Sequence, residues 1–343
     1  MRLALDQAHA LVVETLTRCR TGAANAAHVA AALVAAELAG QAGHGLRRVP
    51  SYAGQALTGK VDGFAEPVAR QTRPGALMVD AAHGFAYPAL ALAMDWLPGA
   101  ARAQGVAVAG VRRSHHAGVT GWFVERLARD GLAALMFANT PAAMAPWGGR
   151  EALFGTNPVA FAAPVTGAEP IVVDLSLSTA ARGKIMAAAQ QGEPIPEGWA
   201  TDADGRPTTD ARAALKGMMQ PAGGAKGAAL ALMVEVLAAG LTGATLAADA
   251  GSFFEPQGAP PGTGQLLLAI DPAALGGADA AARIATLAAA FEGNGEARLP
   301  GRRRQQTAAR VRAEGIELDD ALLAEIRALP GAGQSSAPIS PKS

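Results

Sequence analysis

The sequence predicts a mixed α/β protein, and three observations carry that reading. From about residue 75 onward, short β-type apolar runs alternate with helical stretches. Half of the 343 residues are hydrophobic, with 4% aromatic, so a core of Ala, Val and Leu is available. The 41 glycines and 22 prolines supply the turns that many short connections need.

The elements follow in order. Leu5, Ala8, Val12 and Leu16 recur at three and four, which predicts an opening helix that Thr21-Gly22 ends. Asn25 is placed to cap a second helix over 26–39, stopped by Gly40. The segment 43–50, GHGLRRVP, reads as a polar, flexible connection to Ser51-Tyr52-Ala53. Strands are predicted over 76–80, 105–111, 131–137, 158–164, 171–174 and 264–270. Helices are predicted over 88–104, with a disturbance at Pro98-Gly99, and over 119–130, 180–191, 228–241 and 278–291. Four divisions result: a helical segment 1–70, an α/β core 71–299, a basic and helical segment 300–330 packing back, and a disordered tail 331–343.

Composition excludes several classes. Lys+Arg 29 balances Asp+Glu 29, without the basic excess of a nucleic-acid binder. One cysteine, Cys19, excludes a disulfide scaffold and fits a reducing compartment. No secretory h-region opens the chain and no uninterrupted apolar run reaches bilayer length, so a cytoplasmic protein without membrane partners is expected. No metal site is expected, because the six histidines, His9, His28, His44, His83, His115 and His116, show no HxxxH pairing. There is no GxxxxGK[ST] loop, and Gly262-Thr263-Gly264 precedes a strand instead of a helix, so a Rossmann fingerprint is absent.

The residues that remain point to an anionic ligand. His44 lies in a glycine-flanked loop with Arg48, a planar donor suited to carboxylate, four residues on. Ser114-His115-His116-Ala117-Gly118 lies between a strand and a helix, where free N–H groups suit an anion or where two ordinary histidines flank a cap. Asp174 and Ser176 end a strand, either as a ligand edge or as caps for the next helix. Gly223-Gly224-Ala225-Lys226 opens an apolar helix, and Arg302-Arg303-Arg304 is a basic cluster in a neutral chain, readable as a phosphate clamp or as a solvated run. Asp202-Ala203-Asp204-Gly205 is a turn, since it lacks the later acidic ligands of a calcium loop.

Seven ordered segments together resemble the malate/L-lactate dehydrogenase-like family of NAD(P)-dependent oxidoreductases. That family includes sulfolactate and ureidoglycolate dehydrogenases and the Δ1-piperideine/Δ1-pyrroline-2-carboxylate reductases. The segments are GHGLRRVPSY (43–52), SHHAGVTG (114–121), APWGGREALFGTNP (145–158), VVDLSLSTAARGK (172–184), PEGWATDADGRPTTD (196–210), PAGGAKGAALALMVEVL (221–237) and PGRRR (300–304). The resemblance implies a non-Rossmann NAD(P)-binding α/β fold of several intertwined segments, and a homodimer with its active site near the subunit interface. It implies that His44 is an active-site histidine, with His116 the second catalytic candidate, and that Arg48 holds the substrate carboxylate. It implies substrate contacts from Thr156, Arg182 and Gly183. Cofactor contacts would come from His116, Ala117, Gly118, Val119 and Thr120, from Asp174, Leu175 and Ser176, from Lys226, and from Gly301, Arg302, Arg303 and Arg304. Three consecutive arginines lean towards NADP over NAD.

The activity implied is hydride transfer between nicotinamide and a small, anionic 2-oxo or 2-hydroxy acid of malate, lactate or sulfolactate type. A reductase of cyclic imino acids is the alternative, and a cofactor-binding protein without catalysis is a third reading. In the imino acid branch a Ser-His pair is completed by an acidic residue after the Arg-Gly position. This chain has Gly43 and Lys184 there, which places it on the hydroxyacid side. Trp147 and Phe154 are expected to help exclude water.

Overall fold

In the computed structural model residues 1–331 are described, and the expected tail lies outside them from residue 332 on. The chain opens with β1 (Arg2–Leu3), α1 (Leu5–Arg18), α2 (Ala23–Leu38), two 3-10 turns (Ala42–His44 and Leu46–Arg48) and α3 (Val49–Thr58). Then come β2 (Val68–Arg73), β3 (Ala76–Asp80), α4 (Ala86–Gln104), β4 (Val106–Ser114), α5 (Thr120–Arg129), β5 (Ala133–Ala138), β6 (Val159–Val165) and β7 (Ala168–Leu175). A lobe of α6 (Arg182–Gln191), β8 (Ala200–Thr201), β9 (Pro207–Thr208), α7 (Ala211–Lys216) and α8 (Ala225–Glu235) follows, with a π turn over Val236–Gly240. The chain continues through β10 (Thr263–Ile270), α9 (Pro272–Gly276), α10 (Ala280–Glu292), α11 (Arg302–Glu314), β11 (Ile316–Glu317) and α12 (Asp320–Ala328).

Seven strands form one sheet in the order β2-β3-β4-β10-β5-β6-β7. Only β3 and β4 run parallel, joined by the α4 crossover, and every other pairing in the sheet is antiparallel. A Rossmann sheet is mostly parallel, so this topology accounts for the missing fingerprint. Two apolar clusters form. The larger joins α1–α5 to the sheet and takes in Val311, Leu323 and Ile326 from the C-terminal helices and Ile316 from β11. There Ala8, Val12 and Leu16 are fully buried along one stripe of α1, and each of the two larger side chains contributes about 1.5–3 kcal/mol. The smaller cluster, with Met144, Phe154, Ile185, Met219 and Val234, holds the α6–α8 lobe together.

The termini are stitched together. β1 pairs antiparallel with β11, α11 packs on α2 and α12 on α3. Several sequence expectations shift. Gly22, not Asn25, precedes the second helix, because the Asn25 amide donates to the carbonyls of Gly63 and Ala65. Segment 43–50 is two ordered 3-10 turns and the start of a helix, not a flexible linker. The Glu37 carboxylate accepts from the Leu46 N–H at 2.8 Å, and a side chain at Gly45 would collide with that carboxylate. β2 has no counterpart in the sequence reading, being a polar edge strand, VARQTR, that lacks apolar alternation. The helical stretch Pro272–Glu292 has the length and mean hydropathy of a membrane span, 21 residues at 1.2. It is nevertheless broken at Gly276-Gly277 and carries Asp279 and Arg283.

Candidate active site

The 3-10 turns after α2 place His44 and Arg48, and the end of β4 delivers His115 and His116 against them. His44 Nδ1 lies 3.1 Å from His116 Nε2, with the rings stacked at 5.0 Å between centroids. His116 Nδ1 lies 2.7 Å from the Tyr52 hydroxyl on α3, which lies 3.1 Å from the Tyr87 hydroxyl on α4. His115 points the other way, its Nε2 2.8 Å from Gln55 Oε1.

The segment 252–257 closes this wall. The Lys60 ammonium donates to the carbonyls of Ser252, Glu255 and Gln257, and the Gln55 amide donates to Glu255 as well. The segment so held packs Phe253 against both His115 and His116. It also sets the Phe254 ring 4.7 Å from the Arg48 guanidinium carbon, a cation–π contact. Arg48 uses Nε on the Gly43 carbonyl at 2.8 Å. Its two terminal nitrogens make no hydrogen bond or ion pair among the described residues, which leaves a planar fork for a carboxylate.

Burial in this aromatic setting, reinforced by the Arg48 charge, pulls the His44 pKa down to about 4, with Asp174 opposing. Burial takes His115 to about 3 and holds His116 well below its ordinary value, Arg48 adding to both. All three imidazoles are therefore neutral at pH 7 in the ligand-free site.

A second node lies at the end of β7. The Asp174 carboxylate accepts from the Thr120 hydroxyl (2.8 Å), the Arg304 guanidinium (3.1 Å) and the Gln41 amide (3.3 Å). It thus ties the first turns of α5 and α11 to the turn that carries His44. Asp174 does not cap the next helix, which starts at Arg182 behind Ala181. Ser176 turns its hydroxyl to Ser178 (3.1 Å), and Leu175 is exposed. Two residues on, the chain meets the glycine loop of α8, where the Ala222 N–H donates to the Leu177 carbonyl. Lys226, on the first turn of α8, is exposed.

These elements fit a nicotinamide dinucleotide. Gly224 and Gly301 precede α8 and α11 with φ of 63° and 98°, and neither helix start carries a side-chain cap. Gly118 (φ 66°) and Gly121 let the 117–121 backbone run close to Tyr87 and to Asp174. Ala117 and Val119 are buried in that segment. The basic run is not three free charges: Arg302 pairs with Glu292 at 2.6 Å, Arg304 pairs with Asp174, and Arg303 is the exposed member.

Thr156, Arg182 and Gly183 lie on the smaller lobe. Thr156 N–H donates to Thr140 Oγ1 at 2.9 Å, and Arg182 donates to the Leu215 carbonyl at 3.3 Å. Gly183 has open space where a side chain would be. Among the described residues no hydrogen bond joins these three to His44 or Arg48. Lys184 is exposed, 5.9 Å from the Trp199 ring centroid. Gly43 also has open space, so a serine would fit there, and His116 supplies the partner that His44 lacks at position 43.

The expected water shields are misplaced in the sequence reading. Phe154 belongs to the second core, and Trp147 is 63% exposed beside Gly224. The buried Phe253 and Phe85 pack on the histidines instead, and Tyr52, Tyr87, Gln55 and Lys60 were also missed. One signal was available: the chain has only two tyrosines, and both are here.

Comparison with known proteins follows the same lines. The malate/L-lactate dehydrogenase family profile matches residues 3–327. The chain is 49% identical over 327 residues to the (2R)-3-sulfolactate dehydrogenase (NADP(+)) of Chromohalobacter salexigens, covering 95% of this chain and 97% of that one. It is 43% identical over 293 residues, 85% of each chain, to the Δ1-pyrroline-2-carboxylate/Δ1-piperideine-2-carboxylate reductase of Pseudomonas syringae pv. tomato. The crystal structure of Δ1-piperideine-2-carboxylate reductase from that organism superposes with a TM-score of 0.91 at 40% identity, covering 96% of this chain and 99% of that one. The chain belongs to the malate/L-lactate dehydrogenase family and is an oxidoreductase.

Proposed function

We propose that this member of the family moves a hydride between NAD(P)H, with NADP favoured, and the C2 carbon of a small 2-oxo acid, giving the 2-hydroxy acid. The observation that carries the reading is the placement of His44, hydrogen-bonded to His116, one 3-10 turn before a guanidinium whose two terminal nitrogens are uncommitted among the described residues. Arg48 binds the substrate carboxylate through that fork. Its charge is one cause of the low His44 pKa, after burial, and a bound carboxylate offsets that charge. His44 faces the C2 oxygen and exchanges the proton, and His116 supports it from behind. Thr156, Arg182 and Gly183 close on the rest of the substrate from the smaller lobe.

When bound, the nicotinamide supplies the hydride. Residues 116–120, the Asp174–Ser176 strand end, Lys226 and the Gly301–Arg304 turn would hold the cofactor, with Arg303, exposed and without an ion pair among the described residues, meeting a 2′-phosphate. The sulfolactate dehydrogenase relative, which is NADP-dependent by name, favours a dianionic 2-oxo acid and NADP. The imino acid reductase relative supports the second reading, a cyclic imine as hydride acceptor. The chain is read as a cytoplasmic homodimer. Leu230, Met233, Val236 and Leu241, exposed along α8 and its π turn, offer an apolar face to a second copy.

A spectrophotometric screen tests the proposal, following NADPH and NADH consumption against pyruvate, oxaloacetate, sulfopyruvate and Δ1-pyrroline-2-carboxylate. Turnover of a 2-oxo acid with NADPH is expected. Turnover of the imine alone selects the second reading, and no turnover of any of the four overturns both.

A further inference from the structure

The chain Tyr87–Tyr52–His116–His44 contains a direction that follows from counting protons. Tyr87 is buried, and its hydroxyl has one hydrogen-bond partner among the described residues, the Tyr52 oxygen. If Tyr52 donated to Tyr87, the Tyr87 proton would be left buried without an acceptor, which costs free energy. Tyr87 therefore donates to Tyr52. Tyr52, with one proton, donates to His116 Nδ1, and the 2.7 Å separation suits an O–H···N bond. Neutral His116 then carries its proton on Nε2 and donates to His44 Nδ1. Neutral His44 is left with its proton on Nε2, the nitrogen that makes no hydrogen bond among the described residues.

We propose that Tyr52 and Tyr87 are positioning residues that fix the tautomer of His44, so that the resting enzyme presents an Nε2–H donor to the C2 oxygen of the substrate. The inference deepens the function proposed above and rests on His44 facing that oxygen. A neutral imidazole held as a donor polarises a carbonyl before hydride arrives and needs no reorientation as negative charge grows on the oxygen; the Nε2 proton that the alkoxide then takes leaves a transient imidazolate, which a proton from solvent restores before the next turnover. Two phenols make a one-way anchor. Each has a single proton, and Tyr87 at the blind end has nowhere else to send its own. The surroundings keep the anchor rigid. Tyr52 packs on Phe85 at 5.4 Å and edge-on to His115 at 5.2 Å between centroids, and Gln55 holds His115 from the far side.

Two measurements test this on the full-length enzyme. With only six histidines, 15N-histidine labelling and long-range 1H–15N correlation resolve each tautomer. The wild type is expected to show His116 and His44 both as Nε2–H, assigned through His44→Gln and His116→Gln. An Nδ1–H tautomer at His116 overturns the direction, whatever substrate the enzyme uses. Tyr52→Phe keeps the ring and removes the hydroxyl. It is expected to mix the tautomers of both histidines and to lower kcat about tenfold while leaving KM for substrate and NADPH within about twofold. Tyr87→Phe is expected to do the same more weakly, since Tyr52 retains its own proton for His116. Unchanged tautomers and kcat in Tyr52→Phe overturn the proposal, and a uniform loss of cofactor binding and thermal stability assigns the tyrosines a packing role instead. If Tyr52→Phe fails to fold, the wild-type tautomers and Tyr87→Phe decide. Because the tautomers are read without turnover, failure of the substrate screen and failure of this inference are separable.

Discussion

The wall built from His44, Arg48, His116 and Tyr52 and the lobe that carries Thr156 and Arg182 handle their polar groups in opposite ways. On the wall each imidazole and phenol is held by the next, and Phe253, Phe254 and Phe85 surround them. Its geometry is set before a ligand arrives, so little ordering cost falls on binding. On the lobe, Arg182 is half-buried with one carbonyl as its hydrogen-bond partner, and burial lowers its pKa with no carboxylate opposing. Among the described residues that charge has no ion-pair partner. Under the function proposed above, the wall would fix the reacting atoms and the lobe would read what the substrate carries beyond its carboxylate.

The largest effect should come from emptying the clamp. Arg48→Gln is expected to lower kcat/KM about 10²–10³-fold, mostly through KM, because a charge-assisted bidentate pair is lost. Steady-state kinetics check it, and a change below about fivefold would remove Arg48 from the substrate. The lobe has its own buried anchor, Glu235. It accepts from the Asn139 and Asn157 amides at 3.2 and 2.9 Å and from the Ala247 N–H at 2.7 Å. Glu235→Leu would orphan three donors and is expected to cost about 3 kcal/mol in denaturant unfolding. It should also raise substrate KM, since Asn157 adjoins Thr156.

Arg182→Met should sharpen the contrast from the other side. It is expected to cost about tenfold in kcat/KM for a dianionic 2-oxo acid. It should cost less for pyruvate and nothing in thermal stability, because a partly desolvated cation is being removed. The smallest effect is expected at Arg303. Arg303→Ala should raise KM for NADPH a few-fold and leave KM for NADH unchanged, as befits an exposed cation.

The wall also predicts a pH dependence of stability. His44, His115 and His116 have folded pKa values below the ordinary 6.5. Between that value and about 4 the unfolded chain takes up protons that the folded chain refuses, so stability falls as pH drops through this window. Glu37, whose carboxyl is pushed up by burial, acts in the opposite sense, one group against the three wall histidines and His83, which burial also lowers. Thermal unfolding at pH 7.5 and pH 5 should show the lower Tm at pH 5.

The fold class was legible in the sequence because strand runs such as Gly105–Val111 and Gly264–Ile270 are apolar in short bursts bounded by glycine. β2 was not, because an exposed edge strand need not alternate. The glycine-flanked His44 and Arg48 were readable as a candidate site, and the structure places His44 on His116 and leaves the Arg48 fork open among the described residues. Phe253 and Lys60 were not readable. Phe253 lies far from His116 in sequence and Lys60 far from residues 252–257, and their meeting is a tertiary event that leaves no local period. What the arginine run does not display in sequence is its partners: Arg302 pairs with Glu292 and Arg304 with Asp174.

The central claim is that His44 moves the proton and does little for cofactor binding. His44→Ala, assayed on the acceptor the wild type turns over, tests it most directly, with NADPH affinity measured in parallel by fluorescence titration. The expected result is a fall in kcat of about 10²–10⁴-fold with NADPH affinity changed by about twofold or less. Near-normal turnover in that variant would contradict the account.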